Sequence, residues 1–283
     1  MVSRPADKDK LVLFAHGWTD APQGLDDFVA AIKAAIDSSA WDVQAPLWTR
    51  GNAQATEGGS SVFWPSQALA NAWQEGALLG KHLFQQGWQE VHLIGHSAGA
   101  GVVQGAIQKI KELDQTNRVR IHATFLDGFN GILGSGREIY GQGADWADNY
   151  FASDWTDPTT GGMYPNAHNV DISWLDPHAK TFTDGLGHVW VSSRHIWPFE
   201  WYSSADSISG RHEGYGFHLS REAGGWAETL GHPVGNDPVV LGGPTFVVNS
   251  SHVCRRDLPR DFESLQGTPS IAMSSNVQVH GTK

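Results

Sequence analysis

Val91-His92-Leu93-Ile94-Gly95-His96-Ser97-Ala98-Gly99-Ala100 is the stretch on which the reading of this chain turns. Within it, Gly95-His96-Ser97-Ala98-Gly99 fits the pattern G-x-S-x-G. An apolar, β-type run leads in and a helical pattern leads out, so Ser97 is expected at the tip of a sharp strand-to-helix turn. Glycines at 95 and 99 remove the side chains that would collide in so tight a bend. The serine Oγ is then held in the open, with a helix N-terminus behind it that favours developing negative charge. The pattern alone is weak in a chain with 33 glycines. Its weight comes from the strand before it and the helix after it.

Working outward, Leu11 to Ala15 is an apolar run without helical period and is read as a buried strand ending at His16-Gly17-Trp18-Thr19-Asp20. Leu25, Phe28, Val29, Ile32 and Ile36 recur at helical spacing. Trp41 to Pro46 reads as a second strand, and residues 49 to 61 as a long polar loop. A helix is expected over Gln67 to Gln86. Another follows the elbow, with Val102, Val103, Ala106, Ile107 and Ile110 on one face. Arg118 to Leu126 reads as a strand ending at Asp127. Strand and helix thus alternate, which predicts an α/β fold: a mostly parallel central sheet with helices on both faces. Functional residues of such sheets lie at the carboxyl ends of the strands.

Beyond Asp127 the pattern loosens. Residues 128 to 165 read as a long irregular connection, and 48 to 65 with 129 to 165 are the two candidates for a lid or a substrate wall. Asn169 to Trp174 reads as a strand, Trp197 to Ser204 as a short aromatic helix, and Thr245 to Val248 as a weak strand. The expectation is one domain over residues 1–283, with its core at about 11–205 and a C-terminal elaboration over 206–283.

Of the 283 residues, 40% are apolar and 17% charged, a globular composition. A net charge of −11 speaks against DNA or RNA as a partner and against tight binding to anionic membranes. No apolar run approaches the ~18 residues of a spanning helix, so no integral membrane association is expected. Cys254 is the only cysteine, which excludes an internal disulfide. Met1 to Lys10 lacks an apolar segment and does not read as a signal peptide. As written the chain suits the cytoplasm, or secretion if an upstream signal was trimmed. The thirteen tryptophans suit core and loop packing first, and an aromatic-walled cleft second. Oligomeric state is not legible.

A serine hydroxyl near neutral pH needs a base to take its proton, and a histidine base needs a carboxylate to fix its tautomer. For an elbow serine the expected chain order is serine, acid, histidine. Asp127, ending the strand after the elbow helix, is the first candidate acid. Asp171, Asp176 and Asp154 are its rivals. The base must then be one of His168, His178, His188, His195, His212, His218, His232 or His252. His195, just before the aromatic segment Ile196 to Tyr202, and His188, beside Gly187, stand nearly level on spacing alone. The oxyanion donors expected are the backbone N–H groups of Ala98, the residue after the nucleophile, and Trp18, in the loop after the first strand. His96 is read as structural. This chemistry calls for no metal and no organic cofactor.

These segments together resemble the α/β-hydrolase superfamily, and within it the pancreatic-type triacylglycerol lipase and phospholipase family. Leu13 to Asp20 is similar to that family's His-Gly-aromatic oxyanion strand, and Leu93 to Ala100 to its elbow. Thr124-Phe125-Leu126-Asp127 is similar to the strand that delivers its acid, and Asn169 to Ile172 to the next strand, with Asp171 in a structural place. Arg194-His195-Ile196 through Trp201-Tyr202 resembles its histidine segment. The chain departs from the family at Gly128, where proline is usual, and in lacking the family's disulfides and C-terminal lipid-binding domain. The resemblance implies a Ser97–Asp127–His195 triad that cleaves carboxylic esters through an acyl-enzyme. The substrate is then a small-molecule or lipid ester, of short to medium acyl chain. An amidase or acyltransferase using the same triad, and a non-catalytic binding protein on the same fold, are the alternatives.

Overall fold

The computed structural model describes residues 2–17, 24–48, 65–131, 136–154, 159–185, 189–225, 238–243, 246–249 and 252–255. The apolar run Lys10–Ala15 is strand β1, buried on both faces after its first residue, as an interior strand of a parallel sheet must be. Helix α1 (Leu25–Ala35) follows, with Asp26 and Asp27 in its first turn and Lys33 in its last, charges that suit the helix dipole. Strand β2 (Trp41–Gln44) alternates between buried and partly exposed residues, the pattern of an edge. The chain then returns through helix α2 (Pro65–Gln86) to β3 (Glu90–His96), helix α3 (Gly99–Leu113) and β4 (Arg120–Leu126).

Strands β5 (Trp146–Phe151), β6 (His168–Asp171) and β9 (Val239–Val240) complete a seven-stranded sheet of order β2-β1-β3-β4-β5-β6-β9. Every pairing in it is parallel. The mostly parallel α/β architecture expected from the sequence is therefore the one the chain adopts. Strand order reverses between β1 and β3. At such a reversal the connections after neighbouring strands leave toward opposite faces and open a crevice at their carboxyl ends. The loop after β1 and the elbow after β3 meet there.

Alternation along the strands divides the core in two. Leu11, Leu13, Val91, Leu93, Ile121 and Ala123 face α2 and α3. Val12, Phe14 and Ile94 face α1 and helix α4 (Trp197–Tyr202), through Phe28, Ile32, Phe199 and Trp201. Helices α2 and α3 touch backbone to backbone. A Cβ on Gly105 would come within 2.6 Å of the Trp73 carbonyl oxygen, so only glycine admits this contact.

Three features differ from the sequence expectation. Residues 128 to 165, read as irregular, contain β5, which is buried along its whole length. Its Asp148 and Asn149 interrupt the apolar run that would have flagged a strand. Each finds a partner across the sheet: Asp148 Oδ1 accepts from Thr124 Oγ1 at 2.5 Å, and Asn149 Nδ2 donates to Asn169 Oδ1 at 2.9 Å. Most of the large apolar residues described between 129 and 165 are buried, Phe129, Tyr140 and Tyr164 among them, so this part of the segment is a wall of the fold and not a cover over it. The 48–65 segment lies mostly outside the described residues.

Strand β6 also stops earlier than expected. Asp171 Oδ1 accepts from Ser173 N at 2.8 Å and from Ser173 Oγ at 2.5 Å, and this turns the chain into a 3-10 segment at Ser173–Leu175. The antiparallel pair β7 (Lys180–Thr183) and β8 (Val189–Ser192) then delivers the chain to His195. Past residue 205, helix α5 (Ala205–Ser209) and the buried Phe217 and Leu241 join the second face. A hairpin of β10 (Phe246–Asn249) and β11 (His252–Arg255) lies near the strand expected at 245–248. No helix among the described residues is long and apolar enough to cross a membrane.

Candidate active site

Ser97 leaves β3 with φ at 53°, a left-handed conformation that costs a non-glycine residue free energy. Its neighbours hold it there. Its N–H donates to Leu126 O at 3.1 Å, and its carbonyl accepts from Phe129 N at 2.9 Å and Ala100 N at 3.1 Å. The peptide of Ser97 is thereby tied to the end of β4 and to the first turn of α3. A Cβ at Gly95 would come within 2.6 Å of the Gly99 carbonyl oxygen, and one at Gly99 would overlap the Ala15 carbonyl oxygen. The two glycines of the motif thus let the elbow close against itself and against β1.

The loop after β1 runs beside the serine. A Cβ on Gly17 would lie 2.9 Å from Ser97 Cβ and 3.4 Å from Ser97 Oγ. His16 braces this loop. Trp48 Nε1 donates to His16 O at 2.8 Å, Trp48 N donates to His16 Nε2 at 3.3 Å, and the two rings stack. Trp18, the expected oxyanion donor, lies outside the described residues. Ala98, the other one, is buried at the start of α3.

Asp127 leaves β4, the strand beside β3, and it too is left-handed, with φ at 47°. Of the four non-glycine residues described with positive φ, two are thus Ser97 and Asp127, at the carboxyl ends of adjacent strands. Strain of this kind persists where surrounding structure over-determines it. The Asp127 side chain is fully buried. Its N–H donates to Tyr150 O at 2.9 Å, Oδ1 accepts from Ala152 N at 3.2 Å, and Oδ2 meets His195 Nδ1 at 2.6 Å. An acidic residue with each carboxylate oxygen assigned leaves its histidine partner no freedom of tautomer: Nδ1 carries the proton.

His195 lies in the turn before α4, and its side chain is about one-third exposed at 31%. Three contacts set its position. His96 Nε2 donates to the His195 carbonyl at 3.2 Å, and the two rings stack with centroids 4.8 Å apart. Burial, followed by the neighbouring His195, pushes His96 down to about 3, so its ring is neutral where it stacks on His195. Upstream, Asp176 holds the two residues before His195. It accepts from Ser193 Oγ at 2.9 Å, from Arg194 N at 3.0 Å and from Arg194 Nη2 at 3.0 Å.

Two of the rival acids therefore have other partners: Asp176 binds Arg194, and Asp171 binds Ser173. Burial, with a contribution from nearby Asp127, pushes the Asp171 carboxyl up to about 6. Among the rival bases, His168 is buried between the rings of Trp146 and Tyr215, and His212 pairs with Asp206. His188 and His232 lie outside the described residues. The clamp by Asp176 is a feature that sequence reasoning missed. Its only signal was an acid shortly after a strand, which spacing cannot tell from a catalytic one.

No protein-family profile matches the chain, and no curated protein matches its sequence. Among solved structures, one match is Trichoderma reesei cutinase in complex with a C11Y4 phosphonate inhibitor, at 18% identity and a TM-score of 0.29. The match covers 42% of this chain and 55% of that one, so the chain spans about half the length of the cutinase. The narrower likeness to pancreatic-type lipases stays a resemblance of motifs.

Proposed function

We propose that this chain is a serine hydrolase of carboxylic esters. The observation that carries the reading is the 2.6 Å contact between buried Asp127 Oδ2 and His195 Nδ1, next to a serine held in a left-handed elbow on the adjoining strand. With Nδ1 protonated and engaged, His195 offers Nε2 as a base. In the proposed reaction Nε2 takes the Ser97 hydroxyl proton while Oγ bonds to the ester carbonyl carbon. Asp127 stabilises the imidazolium that results. The carbonyl oxygen becomes an oxyanion held by the N–H of Ala98 and the N–H of Trp18. Collapse breaks the C–O bond, and His195 returns its proton to the departing alkoxide. A water deprotonated by His195 then releases the acid and restores Ser97. The substrate proposed is a small-molecule or lipid ester with a short to medium acyl chain.

The test is Ser97→Ala on p-nitrophenyl esters from acetate to palmitate, beside labelling of the wild-type chain with a fluorophosphonate probe. Turnover by wild type, at least 100-fold lower in Ser97→Ala, and probe adduct on Ser97 are expected; this is the scale of loss when a single element of such machinery goes. Wild-type turnover by Ser97→Ala refutes the assignment.

A further inference from the structure

A second cluster of ionisable side chains is buried about 16 Å upstream of Ser97, five residues back along β3 at strand rise. His92 and His122 are register partners on β3 and β4, so both stand on one face of the sheet. Their rings stack with centroids 3.8 Å apart and planes 5° from parallel. Glu222, 130 residues away in sequence, abuts His92 Nδ1 with its Oε1. Thr124 Oγ1 donates to Asp148 Oδ1 at 2.5 Å. It can therefore only accept from His92 Nε2, 2.7 Å away. Asp148 Oδ1 also lies 3.4 Å from His122 Nε2.

This arrangement leaves its charges unbalanced. Two carboxylates sit in the protein interior, and one oxygen of each, Glu222 Oε2 and Asp148 Oδ2, is buried without a hydrogen-bond partner. Buried carboxylates are stabilised by a matching positive charge or a metal. Two imidazolium ions could match them only by stacking face to face at 3.8 Å, where they repel each other.

We propose that His92, His122 and Glu222 form a structural site for a zinc-class dication. One ligand atom from each of the three lies within 4.8 Å of the other two. Hydrogen-bonding of His92 Nε2–H to Thr124 directs Nδ1 to the ion, and the chain from Thr124 to Asp148 orients that ring from behind. The dication, two neutral imidazoles and the carboxylates of Glu222 and Asp148 sum to zero charge. Two imidazoles with a carboxylate select zinc or cobalt over calcium or magnesium, which prefer oxygen alone. The ion staples the segment around Glu222 to the middle of the sheet and takes no part in the chemistry at Ser97.

The test uses the full chain, stripped with a chelator and reloaded with zinc or with cobalt(II). One zinc per chain surviving gel filtration is expected, with a melting temperature raised by at least about 5 °C at zinc 100-fold above Kd. Cobalt should give visible absorption bands of a low-symmetry nitrogen and oxygen site. His122→Ala and Glu222→Gln should lose the bands and the thermal shift. His195→Ala should keep both, which separates this site from the imidazole paired with Asp127. Sub-stoichiometric zinc without a thermal shift in the wild-type chain overturns the proposal. So does binding that disappears in His195→Ala and persists in Glu222→Gln.

Discussion

Asp127→Asn tests the proposed machinery with the smallest change of shape. The amide has two ways to sit. Asp127 Oδ1 accepts from Ala152 N at 3.2 Å, and Oδ2 meets His195 Nδ1 at 2.6 Å. If the amide NH2 faced Ala152, two donors would confront each other in a fully buried place. The carbonyl oxygen therefore stays on Ala152, and the NH2 is presented to His195. That donor needs an acceptor, so Nδ1 gives up its proton and the ring takes the Nε2–H tautomer. A ring protonated at Nε2 cannot remove a proton from Ser97. The expected loss in kcat is about 10⁴-fold, or about 5.5 kcal/mol in the barrier. Stability should barely change, because the side chains are nearly isosteric and the charge that helps to raise Asp171 disappears. The assay is kcat and KM for p-nitrophenyl butyrate on a variant shown by thermal melting to be folded. A folded Asp127→Asn that keeps more than a tenth of wild-type kcat refutes both the tautomer argument and the role given to His195.

Other perturbations reach the same site from different sides. Gly17→Ala puts a Cβ 2.9 Å from Ser97 Cβ; displacing the nucleophile by even 1 Å should cost about 100-fold in kcat, read by the same ester assay. Asp176→Ala releases Ser193 and Arg194, and with them His195. A roughly 10- to 100-fold fall in kcat at nearly constant KM is expected, and a changed KM alone would contradict a positioning role. His96 governs acid stability. The unfolded chain takes up its proton below the ordinary value of 6.5, the folded chain not until about 3. Its contribution is thus complete above pH 6.5 and is lost as pH falls toward 3, with a ceiling of about 5 kcal/mol. His96→Gln keeps a donor for the His195 carbonyl and abolishes the titration. Its melting temperature should fall less than that of wild type between pH 7 and 4, measured by circular dichroism.

What could be read in the sequence was whatever depends on local period and on glycine. The interior strands β1, β3 and β4 announce themselves as apolar runs because a parallel sheet hides both of their faces. The elbow announces itself because its two glycines answer a steric demand within five residues. Strand β5 escaped notice for the opposite reason. Its Asp148 and Asn149 find partners in Thr124 and Asn169 on the neighbouring strands, and no window of sequence contains that information. The same holds at the carboxyl ends of the strands. Asp127 and Asp171 stand at strand ends and Asp176 follows the 3-10 turn after β6, three acids that the sequence alone leaves as rivals. What separates them is the partner each finds: an imidazole 68 residues away, a serine two residues on, an arginine 18 residues on. Only the first of these ties the end of a central strand to a side chain 68 residues away. Sorting the proposed catalytic carboxylate from a structural one is thus a tertiary question, and the long-range contact with His195 is what favours Asp127.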